Sequence, residues 1–369
     1  VGLSLYSYSL IDPNLTFFNH PAWTAFRNLM VEFGYNRRQE SWLVYLSIII
    51  LLFVFNYVFV LKYKKLRFTP FKIALIIGII LLFSYPFLSH DFFYYLFNAK
   101  ILTFYHKNPY QQIPGDFYLD PWLRFTQWTG TSFLYGPVFL LISAVPSFLA
   151  ANKLFLSFFF LKAVMVIFYL LAVYLSEKID KQWAIVLATN PLLIIEGLVN
   201  GHNDLIALSL AVIGIYYIYK KTNLLGKLFL VLSIGIKYIS FPLIFLTSSN
   251  KKINIITSTV FIGVLIILII KSEIQPWYFM SLLILFPYIK NLLLRLNLFF
   301  VGLLLSYYPY VRFGGWEKVL YWTTSEKVAL KHNIILISFI CTILTAIAHR
   351  WYIKINVKEK IGSKIRRDS

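Results

Sequence analysis

The chain has one cysteine, Cys341, set in an apolar run, so no intrachain disulfide can form. Acid is scarce as well. Fifteen Asp and Glu stand against 35 Lys and Arg, and charged residues of both signs reach only 14%. There is no Gly-rich phosphate loop, dinucleotide-binding turn, Ser/His/Asp arrangement or Cys/His metal spacing. Those absences set aside nucleotide-binding folds, triad hydrolases and motif-borne metal centres. Nothing reads as a soluble domain or a flexible linker, and no segment repeats at a fixed period.

What remains is apolar. Of the 369 residues 59% are hydrophobic and the mean hydropathy is +0.71, which is more apolar surface than a soluble domain can bury. The expected fold is therefore all-α, a polytopic transmembrane helical bundle that forms one domain over 1–369. Aromatics reach 19%, with 35 Phe and 26 Tyr, more than bilayer belts need; grooves for sugars and lipids use them too. The net charge of +20 does not call for nucleic acid, because Lys and Arg collect on cytoplasmic loops. Residue 1 is valine, which suggests a fragment lacking an upstream helix or a processed segment.

About 20 apolar residues cross a bilayer. Segments 42–61, 71–89, 154–175, 183–199, 204–219, 255–270 and 332–350 qualify, while 133–150, 228–246, 277–289 and 296–310 are short or broken by proline or charge. Segment 61–72 carries five basic residues and no acid, so it is expected in the cytoplasm. The same holds for 220–227 and for the tail after 350, with Lys354, Lys358, Lys360, Lys364, Arg366 and Arg367. Helix 71–89 then runs outward and delivers Asp91 to the outer face. The loop 90–132 is near neutral, with Lys100, Lys107 and Arg124 balancing Asp91, Asp116 and Asp120. To keep 200–204 outside, 133–150, with Pro137 and Pro146, is read as an outer half-helix near the interface. Segment 228–246, with Lys237 and Pro242, is read as two half-helices meeting at the outer face, since irregular backbone is tolerated where it lines a cavity.

That orientation gathers the unusual residues on one side: His90 and Asp91, Asn108-Pro109-Tyr110, Tyr135-Gly136-Pro137, Glu196, His202-Asn203-Asp204, Lys237-Tyr238 and Trp277-Tyr278. Each has a plain alternative. Asp91 could cap the helix that begins at Phe92, Asn108-Pro109 reads as a turn, and His202 and Asp204 could be ordinary loop residues. Trp277 and Tyr278 fit an aromatic belt. Lys237 inside an apolar run needs a partner or a water-filled cavity. The argument rests on their coincidence. A carboxylate there can act as general base on an acceptor hydroxyl. A lysine and a histidine can neutralise the charge on a departing phosphate, and aromatic faces can pack on sugar rings and an isoprenoid tail. A sugar linked to a lipid phosphate, tail in the bilayer and head at the outer face, meets those needs.

Ser89-His90-Asp91 with Tyr95, then Asn108-Pro109-Tyr110, Tyr135-Gly136-Pro137, Asn200-Gly201-His202-Asn203-Asp204, Lys237-Tyr238 and Pro276-Trp277-Tyr278 resemble, in order, the GT-C integral-membrane glycosyltransferases. The likeness is nearest to the bacterial polyprenol-phosphate-mannose-dependent mannosyltransferases of glycosyltransferase family 87, and it covers roughly 70–280. It implies a GT-C bundle with outer-face loops in the cell membrane and a site on the extracytoplasmic side. It implies a polyprenyl-phosphate-linked donor, a glycan or glycolipid hydroxyl as acceptor, and a single displacement with inversion. Asp91 would be the catalytic base, in the first catalytic outer loop at 90–132. The substrate-binding set would be His90, Tyr94, Asn108, Tyr110, Tyr135, His202, Asn203, Asp204, Lys237, Tyr238, Trp277 and Tyr278, with Lys237 near the phosphate. Many relatives carry two adjacent acids or a Ser-x-Asp pattern, whereas His90 precedes Asp91 here. That departure leaves metal assistance open; no metal or other cofactor is expected.

Two rival functions stand beside the transferase. A transporter or flippase of lipid-linked sugars would place its charges near the midplane of repeat-related halves, and the chain shows no such halves. A non-catalytic subunit of an envelope-assembly complex could retain the same residues without turnover.

Overall fold

In the computed structural model, which describes residues 1–318 and 322–365 with side chains through 348, every regular element is helical. The N-terminal part holds α1 (Gly2–Tyr6), α2 (Pro21–Val31), α3 (Arg38–Leu61), α4 (Pro70–Leu81) and α5 (Asp91–Thr103). The centre holds α6 (Pro137–Leu149), α7 (Leu154–Glu177), α8 (Lys181–Thr189), α9 (Asp204–Tyr219) and α10 (Asn223–Ile234). Then follow α11 (Lys251–Lys271), α12 (Phe286–Leu293), α13 (Asn297–Leu305), α14 (Tyr308–Phe313) and α15 (Thr324–Ile365). Short 3-10 and π turns join them. The tail's Arg366 and Arg367, and the side chains of its lysines, lie outside the described residues.

Among the described residues four helices are long and apolar enough to cross a bilayer: α3, α7, α11 and the Thr324–Ala348 part of α15. Two bent pairs raise the count to six if each is one span: α8 with Leu193–Val199, bent by 62°, and Pro276–Leu293 with Asn297–Phe313, bent by 119°. The outer faces fit that role. Along α3, Leu43, Ile50, Leu51, Val54, Phe55 and Val58 are exposed, a stripe that water would penalise and lipid would not. The protein is a multi-pass helical membrane protein.

Of the expected spans, one is shortened, one is bent, and one forms over its expected bounds. Segment 71–89 is helical only to Leu81. Ser84 Oγ returns a hydrogen bond to the Leu81 carbonyl at 2.6 Å, and Tyr85, preceding Pro86, is held out of the helical region. Segment 183–199 bends where Asn190 precedes Pro191. Segment 204–219 forms α9, whose 16 residues rise about 24 Å. It is buried on nearly every face, between α7 and α10, as the hub of the bundle. Segment 133–150 is helical over Pro137–Leu149, as α6, and 228–246 is the end of α10 followed by a 3-10 turn, Tyr238–Phe245.

The loop 90–132 is the largest departure. After His90 its next 13 residues are α5, buried except at its ends. The remainder is pinned to α5 by an ion pair, Lys100 Nζ to Asp120 Oδ2 at 2.5 Å, with both side chains almost fully buried. Asp120 also accepts from Tyr105 Oη at 2.7 Å and caps the following turn at Trp122 N, and the Lys100 ammonium lies 4.0 Å from the Trp122 ring centre.

The bundle has two chemically different ends. Helix α9 begins at Asp204, beside Lys237, and ends at Lys220. At that far end Asp180, Lys220, Lys221 and Asn254 line one cleft, and Glu177 accepts from Phe71 N at the start of α4, next to the basic 61–72 segment. With Cys341 replaced by serine, a cysteine at the exposed Tyr118 and one at the exposed Lys221 are expected to react with impermeant maleimide from opposite sides of sealed vesicles. Labelling of both from one side would break this topology.

Candidate active site

The site is assembled from places where helices stop. The chain leaves α4, runs through Pro86, and re-enters a helix at Asp91. Ser89 Oγ takes the Asp91 amide at 3.2 Å. The Asp91 carboxylate does not cap a helix: all of its hydrogen-bond donors are side chains. Tyr135 Oη donates at 3.0 Å, Trp128 Nε1 at 3.3 Å and Tyr95 Oη at 3.5 Å. Its side chain keeps 14% exposure, on the wall of a cleft of about 410 Å3 that His90, Trp128, Gln275, Trp277, Tyr307 and Trp316 also line. Burial pushes the Asp91 carboxyl up. The His202 contact, the Lys237 charge and the Tyr135 hydroxyl together outweigh it and hold the group below its ordinary value.

The second strand of the site begins at the break after α8. The π turn Leu193–Val199 ends in Asn200, whose Oδ1 accepts from Leu88 N at 3.2 Å and whose Nδ2 donates to Glu196 Oε2 at 2.9 Å. Gly201 follows with φ of +70°, and a Cβ there would lie 2.5 Å from the Phe92 ring. Only glycine takes both the backbone and the approach. That turn delivers His202, fully buried, with its Nδ1 3.5 Å from Asp91 Oδ2 and its Nε2 3.4 Å from Glu196 Oε2. These are ion-pair distances without hydrogen-bond alignment, and both ring nitrogens lack a formed bond. Trp277 stacks on the imidazole with centroids 4.0 Å apart.

The third part is a backbone crossing. Gly136 lies so close to Gly235 that a Cβ would fall 2.1 Å from the Gly235 carbonyl oxygen, and Gly136 N donates to Ile236 O at 3.3 Å. Tyr135 and Lys237 are thereby neighbours. The Lys237 ammonium is 4.9 Å from the Tyr135 ring centre, 5.8 Å from that of Tyr278, and 3.0 Å from Asp204 Oδ2.

Asp91, Tyr135, His202, Asp204, Lys237, Trp277 and Tyr278 thus come together. Others of the expected set do not. Tyr238 is 71% exposed and joins none of these contacts. Asn108 is exposed and closes its own turn onto Tyr110 N at 3.0 Å, while Tyr110 Oη supports the Tyr135 carbonyl at 2.9 Å. Tyr94 holds Ser132 O at 2.7 Å and shapes the loop rather than the cleft. Asn203 is buried with both amide atoms unpartnered. Two residues were missed. Trp128 bonds Asp91 without any motif to mark it, whereas Tyr95, which also bonds Asp91, stood in the Ser89-His90-Asp91 pattern without an assigned role. Lys162 did carry a signal, a charge inside the apolar run 154–175. Its Nζ donates to Ser84 Oγ at 3.1 Å and to the Leu198 and Val199 carbonyls at 2.7 and 2.5 Å, satisfying the interrupted backbone behind the site.

A family model described as alpha-(1->6)-mannopyranosyltransferase, N-terminal domain, matches residues 18–249, well over half of the chain. The chain belongs to that family. It is accordingly a glycosyltransferase that acts on mannose, with a sugar donor and a glycan acceptor as its substrates. Comparisons with curated proteins and with solved structures found no match. The matched region carries Asp91, Tyr135, His202 and Lys237, and Trp277 lies beyond it.

Replacing Gly201 with alanine should cost at least about 1–2 kcal/mol for the left-handed backbone, with displacement of Phe92 in addition. The purified variant is expected to melt below the wild type, and an unchanged melting temperature would contradict the close approach.

Proposed function

We propose that the chain transfers mannose from a polyprenyl-phosphate donor to a hydroxyl of a glycan or glycolipid, on the extracytoplasmic side of the cell membrane, with inversion. The observation that carries this reading is Asp91: a carboxylate held ionised by three side-chain donors at the wall of a cleft, at the end of the bundle away from the basic loops. A GT-C transferase of the family 87 kind would use it as general base on the acceptor oxygen. A single displacement inverts the anomeric carbon, so an α-linked product requires a β-linked donor. Lys237, 17% exposed at its side chain and paired with Asp204, is the cation assigned to the departing phosphate. Tyr135, Tyr278 and Trp277 supply ring faces for sugar and isoprene. The reading needs no metal, because the ammonium supplies the positive charge.

The test is transfer from labelled polyprenyl-phosphate-mannose in proteoliposomes, with GDP-mannose as the competing donor. Wild type is expected to use the lipid donor and Asp91→Asn to lose turnover by at least about 100-fold. Use of GDP-mannose alone would overturn the donor class, and full activity in Asp91→Asn would remove it as base. The pH profile gives a second check. Asp91 works ionised, and its pKa lies below the ordinary value, so transfer should hold from neutral into mild acid. Protonation of Asp91 itself therefore sets an acid limb only below about pH 3.9, the unperturbed aspartate value, and a limb at higher pH belongs to another group of the site.

A further inference from the structure

Behind Asp91 lies a row of acid–base groups that the displacement itself does not use. His202 separates two carboxylates, Nδ1 facing Asp91 and Nε2 facing Glu196, at 3.5 and 3.4 Å. Trp277 clamps the ring plane, at 17° to its own. Glu196 is completely buried; its Oε2 accepts from Asn200, and its Oε1 has no partner. Buried polar atoms are almost always satisfied, so the two His202 nitrogens, unpartnered between two carboxylates, need a reason. Contacts that await a proton are commonly loose in a resting site. The carboxylates approach opposite edges of the ring, so the three side chains share no point at which one ion could be bound, and among the described residues no metal-holding group is formed.

We propose that His202 and Glu196 act through Asp91 as a proton path, Glu196 holding the Nε2–H tautomer of His202 so that its Nδ1 lone pair is aimed at Asp91. The path rests on Asp91 being the base. In the reaction the acceptor oxygen bonds to the anomeric carbon as the carbon–oxygen bond to phosphate breaks, leaving its electron pair on the lipid phosphate. The hydroxyl proton goes to Asp91 Oδ2 and then to His202 Nδ1. Asp91 returns to a carboxylate, and an imidazolium is left between two carboxylates until water in the cleft takes the proton. A second acceptor behind the carboxylate draws the proton on. Glu196 is a positioning residue here, as the buried acid behind a catalytic histidine is elsewhere: it fixes the tautomer and steadies the cation.

One test needs no turnover. Heteronuclear NMR of histidine-labelled protein in lipid nanodiscs, with His202 assigned by its loss in His202→Asn, should show the Nε2–H tautomer in wild type. Glu196→Gln should redistribute it. An Nδ1–H or doubly protonated ring in wild type, or a Glu196→Gln spectrum identical to wild type, overturns the path even if mannosyl transfer fails for another reason. In the transfer assay Glu196→Gln should lower kcat roughly 100-fold while the acceptor KM stays within about twofold. Glu196→Asp should recover part of the loss. An unchanged kcat in Glu196→Gln, or an effect confined to KM, overturns the path while leaving Asp91 as base untouched.

Discussion

Everything at this end of the bundle follows from keeping one carboxylate charged, reachable and mostly out of water. An ionised group surrounded by apolar helices is costly unless it is hydrogen-bonded and paired. Asp91 receives its donors from three stretches, Tyr95 from its own helix, Trp128 from the following loop and Tyr135 from the turn into α6, with His202 alongside. No single helix could present that set, because side chains on one helix face point along one stripe. The site therefore draws on interrupted helices: Trp128 and Tyr135 reach Asp91 from outside regular helices, and Tyr95 from within α5.

Those interruptions bring their own demand. A carbonyl freed by a broken helix inside a membrane protein has no water to bond, so the protein must satisfy it internally. Lys162 does this with one ammonium shared between Ser84 and the ends of the π turn, which ties the approach to Asp91 to the approach to His202. Two glycine contacts complete the assembly. Gly201 lets the His202 turn lie on Phe92, and Gly136 lets the Tyr135 turn lie on the Gly235 backbone. In both cases the missing side chain sets a distance between two functional groups.

The same architecture separates functions along the bundle axis. Helix α9 runs from the Lys237–Asp204 pair to the lysines at its other end. One end carries aromatics and paired charge around a cleft, and the other carries Lys220 and Lys221 beside the Lys290–Asp180 pair. That polarity fits the proposed transfer from a membrane-anchored sugar, in which donor head group, acceptor and base would meet on one side of the bilayer.

Much of this was legible in the chain itself. Hydropathy determined an all-helical membrane bundle, because runs of about 20 apolar residues cross a bilayer as helices that satisfy their own backbone. Charge distribution marked the two ends, and short polar motifs marked Asp91, Tyr135, His202 and Lys237, because an ionisable residue in an apolar chain needs a cause. Tertiary structure decided what a one-dimensional pattern does not carry. It ended the 71–89 segment at Leu81, turned most of the 90–132 loop's start into a buried helix, and placed Trp128 on Asp91 across 37 residues of chain. It also withdrew Tyr238 and Asn108 from the cleft and set Glu196 behind His202. Residue type and spacing say which groups are expensive to bury; only packing says which partners they find, because those partners are distant in sequence and their approach depends on where backbones can touch.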